Sequence, residues 1–336
     1  MMKYISLTLA CFYCSLAMAQ KTDSFNFTAP ESKITGSAFN KLTFLDGRPE
    51  KGNLGIAQVG VFNKKVQVVP ETTMEKQVAD VFAGMIGQDA GQGEVLLHLR
   101  QFMFAELTGA VSEKGYCYLR ADLYEKKDDN YYKRDGIDTV VLVRAADVTR
   151  KMYSRGGKAL TDFIASGLKL VSATSVRPYN YQEIVHIDSV EKESMKLYHA
   201  AALTDGMYLS YDAFKDQVPD YNPISCKIKN NILLRVSAID NNGKELAVKE
   251  KDIYAVVNKG IPYIATDYGY YPLFKLENDF FYRGRIKATA NASDLMVASV
   301  FFGALGGLVA GASGSEVTDV RIDHISGGLI PVRRGR

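Results

Sequence analysis

Period-two alternation is clearest in GYCYLRADLYEK (Gly115–Lys126), where Cys117, Leu119, Ala121 and Leu123 share one side of a strand. EVLLHLRQFMFAEL (Glu94–Leu107) reads as a long strand before it, and LGIAQVGVF (Leu54–Phe62) as a short buried one. After the polar KKDDN loop, a further strand is expected around Thr139–Val143. Helical spacing appears twice. Pro70 and Glu71 open a helix in which Met74, Val78, Val81, Phe82 and Met85 recur on one face, and Gly87 with GQDAGQG closes it. Val148, Met152, Leu160, Phe163, Ile164 and Leu168 mark the second helix, with Gly156-Gly157 predicting a weak middle. The order is β-α-β-β-β-α, a layer with two helices on one sheet face.

The pattern changes after Val176-Arg177-Pro178. ILLRVSAID (Ile232–Asp240) and ELAVKEKDIYAVV (Glu245–Val257) read as a hairpin about Asn241-Asn242-Gly243, because Asn-Gly tolerates the positive φ of tight turns. Asn258-Lys259-Gly260 joins Asp252–Val257 to Ile261–Ala265, and a third hairpin turns at Glu277-Asn278-Asp279. The fold class is therefore α+β: an N-terminal layer domain followed by a β-rich hairpin domain with one inserted Gly-rich apolar helix. The boundaries are a signal peptide over 1–19, a polar lead-in over 20–52, the layer domain over 53–175 and the β-rich domain over 176–336.

Within that second domain, LMVASVFFGALGGLVAGASGS lies between Asp294 and Glu316 without a charge. Gly303, Gly307 and Gly311 fall at i, i+4 and i+8, a glycine zipper over 295–314 that admits a second helix at close range. Three readings stay open: a buried helix or helical hairpin, a membrane contact through 295–312, and a homo-oligomeric zipper. A spanning helix needs roughly 17–25 apolar residues, and Leu295–Ala312 only just reaches that. The stripe makes a homo-oligomer or an envelope protein the expected partner.

Lys3, the apolar run Ile5–Leu16 and Ala17-Met18-Ala19 form a secretory signal, placing the mature start at Gln20. The mature chain is long enough for two domains at roughly 100–200 residues each. An apolar fraction of 47% supports sizeable cores. The formal charge of +3 is near neutral and its signs interleave, which argues against nucleic acid. Cys117 and Cys226 remain after signal removal, either as a disulfide or as two buried thiols. Abundant tyrosine without tryptophan suits half-buried strands.

Two stretches carry family resemblances. The order Leu54–Phe62, helix, Glu94–Leu107, Gly115–Tyr124 resembles the periplasmic domain of auxiliary lipoproteins in lipid-transport systems and the related curli-secretion lipoprotein domain. LTDGMYLSYDAFKDQVP (Leu203–Pro219), DIYAVVNKGIPYIA (Asp252–Ala265), YGYYPLFKLENDFFYRG (Tyr268–Gly284) and the terminal DHISGGLIPVR (Asp323–Arg333) resemble a family of secreted Bacteroidetes proteins. The first resemblance implies a role in lipid or polymer export. The second implies an exported protein with no assigned catalysis.

Chemistry is hard to find along the chain. His98, His186, His199 and His324 show no metal-like spacing, and His98 alternates with Arg100 on a strand face. GASGS (Gly311–Ser315) lacks the last glycine of a nucleophile elbow. GQDAGQG lacks the Lys-Ser/Thr of a phosphate loop. The carboxylates of KKDDN and of DSVEKE (Asp188–Glu193) read as solvated loops and helix starts. Neither a catalytic residue nor a metal or cofactor is expected. The expectation is an exported, non-enzymatic envelope protein acting in binding or assembly. An accessory of a lipid or polymer export system is the alternative, and a hydrolase is disfavoured.

Overall fold

The computed structural model describes residues 21–332 apart from positions 29, 31, 61–63, 109–112, 146, 171–176, 231 and 286–316. The signal segment and the zipper glycines Gly303, Gly307 and Gly311 lie outside the described residues. The chain is an α+β protein. Its first half runs β1 (Thr22–Phe25), β2 (Phe39–Asp46), β3 (Gly55–Val59), β4 (Lys64–Pro70), α1 (Met74–Met85), β5 (Gly93–Thr108), β6 (Glu113–Lys127), β7 (Asn130–Arg144) and α2 (Val148–Lys169). These strands form one seven-stranded mixed sheet, ordered β1-β4-β3-β5-β6-β7, with β2 also on β5. β5 is long enough for two successive neighbours: β2 runs parallel to Gly93–Leu99, and β3 pairs at Phe104–Ala105.

Both helices cover one face of this sheet, as their apolar spacing requires. Val78, Val81, Phe82 and Met85 of α1 and Met152, Leu160, Phe163 and Ile164 of α2 enter one core with Cys117, Leu119, Ala121 and Leu123 of β6. Thr73 caps α1 by accepting from the Lys76 amide at 3.3 Å, and Asp147 caps α2 through the Arg150 amide at 3.2 Å. The expected weak middle of α2 is an uninterrupted helix. A Cβ on Gly156 would stand 2.6 Å from Cys117 Sγ and 2.7 Å from the Phe104 ring, so the glycine sets how closely the helix meets the sheet. Arg134 of β7 is buried beneath the end of α2, donating to Gly167 O at 3.1 Å and pairing with Glu125 at 2.8 Å.

The sheet is larger than the sequence pattern implies. The polar lead-in contributes β1 and β2, and β4 stands between β3 and α1, where the pattern places the helix start directly after β3. β1 buries only Phe25, so its burial carries no legible alternation. β4 buries Val66 and Val68 and ends at Pro70, which closes the strand before the helix opens.

The second half begins with the short helices α3 (Tyr181–Val185), α4 (Ile187–Glu193) and α5 (Lys196–His199), ahead of the stretches expected to form hairpins. It continues with β8 (Gly206–Tyr208), α6 (Tyr211–Lys215), β9 (Ile224–Lys229), β10 (Ile232–Ile239), β11 (Glu245–Leu246), β12 (Ala255–Asn258), β13 (Ile261–Thr266), β14 (Gly269–Pro272), β15 (Phe274–Leu276), β16 (Asp279–Arg285), β17 (Val317–Ile322) and β18 (Leu329–Val332). These make a three-stranded sheet, β11-β10-β9, and two four-stranded sheets, β14-β13-β12-β8 and β15-β16-β17-β18. The turns Lys259-Gly260 and Glu277-Asn278 hold positive φ at both central positions, the geometry of tight hairpins. The hairpin at Asn241–Gly243 returns only over Glu245–Leu246, and Ala255–Asn258 belongs to a different sheet. No described helix is long and apolar enough to cross a membrane. Cys117 and Cys226 are free thiols.

The halves meet on the sheet face that the helices leave open. Tyr131 and Tyr179 exchange two backbone hydrogen bonds of 2.8 Å at one end of β7. Beside them, Leu96, Tyr124, Tyr131 and Ile184 form an apolar cluster.

Candidate functional site

The same alternation that sends Cys117, Leu119, Ala121 and Leu123 to the helices sends Tyr116, Tyr118, Arg120, Asp122 and Tyr124 to the opposite face. All five of these side chains are buried, the arginine and the aspartate included. On β5 the register shifts between Leu99 and Gln101. Val95, Leu97 and Leu99 face the helical core before the shift, and Phe102 and Phe104 face it afterwards. A bulge of this kind re-aims a side chain. Here it brings Phe102 and Phe104 to the helical side, while Arg100 stays by plain alternation on the opposite face with His98, whose cross-strand partner is Asp122.

Charged groups from the second half close over this face. Asp188 and Glu191 stand three residues apart on α4 and so point the same way. Arg100 donates through Nη2 to Asp188 Oδ1 and Glu191 Oε2, both at 2.6 Å. Its Nη1 reaches Glu191 Oε1 at 2.8 Å and Asp122 Oδ2 at 3.2 Å. His324 Nε2 lies 2.9 Å from Glu191 Oε2, and Lys133 Nζ lies 2.5 Å from Asp122 Oδ1. A second arginine repeats the arrangement: Arg120 holds Asp323 at 3.0 and 2.6 Å and Asp138 at 2.9 Å. Asp323 also accepts from the Ser326 amide and hydroxyl at 3.1 and 2.5 Å, which fixes the loop between β17 and β18. Tyr211 donates to His324 O at 2.6 Å and Tyr254 to Gly327 O at 2.8 Å, tying that loop to the second core.

Electrostatics follow from this enclosure. Burial alone would raise the Glu191 carboxyl, but hydrogen bonds from His324 and Arg100 hold it down to about 2. Burial likewise opposes ionisation of Asp323 and Asp188. Arg120 and Ser326 outweigh it for Asp323, and Arg100 and His324 for Asp188, so both stay below the usual carboxylate range. His98 moves for the opposite reason. Burial, then the positive charge of Arg100, lowers it to about 4 against the pull of Asp122, Asp188 and Glu191. It is 3% exposed and neutral near pH 7.

Asp188, Glu191 and His324 have ligand atoms within 4.8 Å of one another, the set of a small divalent-cation site. The Arg100 guanidinium already binds both carboxylates, so the positive charge they need is supplied by the chain. A cation entering there would share its oxygens with that guanidinium. Zinc addition or chelation with EDTA is therefore expected to leave the melting temperature unchanged. A rise of several degrees with stoichiometric zinc would assign the cluster to metal.

The structure corrects one expectation. The carboxylates of Asp188–Glu193 are more than a solvated helix start: Glu193 is exposed and the Asp188 side chain is 53% exposed, but Asp188 and Glu191 form a fixed set over Arg100. Of the histidines, His98 and His324 are buried in this seam, whereas His186 and His199 are exposed. Arg100, Arg120, Asp122, Asp323 and Ser326 carry no motif that singles them out along the chain. The available signal is Arg120 and Asp122 at alternate positions among tyrosines, a polar stripe too large and too aromatic for a solvent-facing strand.

No family model matches the chain, and no curated protein matches it. Among solved structures, a DUF330 protein from Xanthomonas campestris aligns with 43% of this chain and 91% of its own, at 13% identity and a TM-score of 0.29.

Proposed function

We propose that the protein is an exported, non-enzymatic component of the cell envelope that works by binding or assembly. One observation supports this above the others: the carboxylates gathered at the seam are committed to Arg100 and Arg120. A general acid or base must be free to exchange a proton with a substrate, and a carboxylate held by a guanidinium at 2.6 Å is not. The seam instead fixes one half of the chain against the other, as a scaffold needs. Export rests on Lys3, the apolar run after it and Ala17-Met18-Ala19.

The role in lipid export has less behind it. A shallow apolar groove between α1 and α2, lined by Phe27, Val78, Val81, Leu160, Thr161 and Ile164, is half open to solvent and has no room inside it even for a water molecule. Pockets for drug-sized ligands run to roughly 300–1,000 Å³, so this groove does not favour a lipid chain.

Cell fractionation with carbonate extraction, joined to N-terminal sequencing, tests the proposal. The protein should appear in the envelope or periplasmic fraction, beginning at Gln20. Recovery from the cytosol with residues 1–19 intact would overturn it.

A further inference from the structure

We infer that the outer edge of β7 pairs antiparallel with the same edge of a second copy of this chain, continuing the large sheet across a two-fold axis. β7 ends the sheet order, and its 15 residues are bonded on one side by β6. Among the described residues, only Tyr131 near its start is paired on the other side, with Tyr179. From Asp138 to Arg144 that edge presents a row of backbone donors and acceptors with no described strand beside it, which is a template for strand addition.

The other free edges are short or carry lysine or proline, and β7 has its one lysine, Lys133, in the first half of the strand. β1 has four residues, β8 three, β11 two and β15 three. β14 and β18 carry Pro272 and Pro331, β2 carries Lys41, and β9 carries Lys227 and Lys229. Lysines, prolines and short strands are the usual defences against edge pairing. The Thr139–Val143 run of β7 has neither lysine nor proline, and its residues are half-buried or buried.

Self-complementarity commits the edge to its own copy. Centred on Val141, an antiparallel pair sets Val140 opposite Leu142 and Thr139 opposite Val143. It then sets Asp138 opposite Arg144 at both ends. Asp138, Val140, Leu142 and Arg144 share the face that carries Arg120, because each pairs with an even-numbered residue of β6. The opposite charges therefore meet on one face of the joined sheet, flanking an apolar centre. Asp138 keeps its 2.9 Å contact with Arg120 and its hydrogen bond with Tyr118, and its negative charge attracts the neighbour's arginine across the pair.

This inference deepens the assembly reading and uses only the purified full chain, so it can fail while the localisation result stands. Two variants, Val140→Cys and Leu142→Cys, are prepared separately and mixed under mild oxidation. Opposed residues in an antiparallel pair have Cα atoms about 4.5–5.5 Å apart, within disulfide reach. Cross-linked dimer should form in the mixture and not in either variant alone. In sedimentation velocity the unmodified chain should run as a dimer, and Arg144→Asp should raise the dissociation constant about tenfold by opposing two like-charge pairs. A monomer at all concentrations, no cross-link in the mixture, or equal cross-linking of each variant alone would overturn the inference.

Discussion

Replacing Asp323 with alanine is expected to destabilise the protein by about 3–5 kcal/mol, the range for removing one partner of a buried ion pair. Arg120 and Asp323 are 8% and 5% exposed at their side chains, and the pair spans 203 positions of sequence. Without the carboxylate, the guanidinium keeps Asp138 at the margin of the seam and the Tyr118 ring as its partners among the described residues. Ser326 also loses the acceptor for its amide and hydroxyl. Urea unfolding of the single variants and of the double variant Arg120→Met/Asp323→Leu gives the coupling. The double change should cost less than the sum of the single ones, because the one carboxylate it strands, Asp138, sits at the partly exposed margin of the seam. An Asp323→Ala cost below about 1 kcal/mol would mean that water reaches this pair and that the seam does not hold the halves together.

Acidification should weaken the fold in two stages. His98 has a folded value of about 4 below its ordinary 6.5, so the unfolded chain binds the proton first. Its contribution is fully present above pH 6.5 and is lost as pH falls from 6.5 to about 4. A shift of that size corresponds to roughly 3 kcal/mol for this buried ring. Glu191 adds a second loss: its folded value of about 2 lies below the ordinary 4.5, so its stabilisation fades as pH falls from 4.5 through 2. Unfolding free energies measured from about pH 8 to about pH 3 should show both limbs. His98→Gln should flatten the upper one and leave the lower one in place. An unchanged upper limb in that variant would show that burial does not lower His98 and that the ring titrates alike in the folded and unfolded chains.

What the amino-acid order determines by itself is local. α1, α2 and β6 are legible because apolar residue types recur at about 3.6 or two positions, and β5 because it is a long apolar-rich run, patterns that need no knowledge of the partner surface. The tight turns at Lys259-Gly260 and Glu277-Asn278 are legible because positive φ selects for residues at single positions. β1 is not, since only Phe25 turns inward, and β4 merges with the helix start after it. The seam is not legible either. Arg100 reaches Asp188 and Glu191 across 88 and 91 positions, and His324 reaches Glu191 across 133. A charged residue carries no periodicity that announces its partner, and in isolation it reads as solvated because burying a lone charge is so costly. Only the tertiary structure, by folding the second half onto the face opposite the helices, buries Arg100 and His324 and gathers Asp188 and Glu191 over them at the margin. The β5 bulge, which brings Phe102 and Phe104 to the helical side after Arg100 has taken the other, shows in sequence only as a break in alternation.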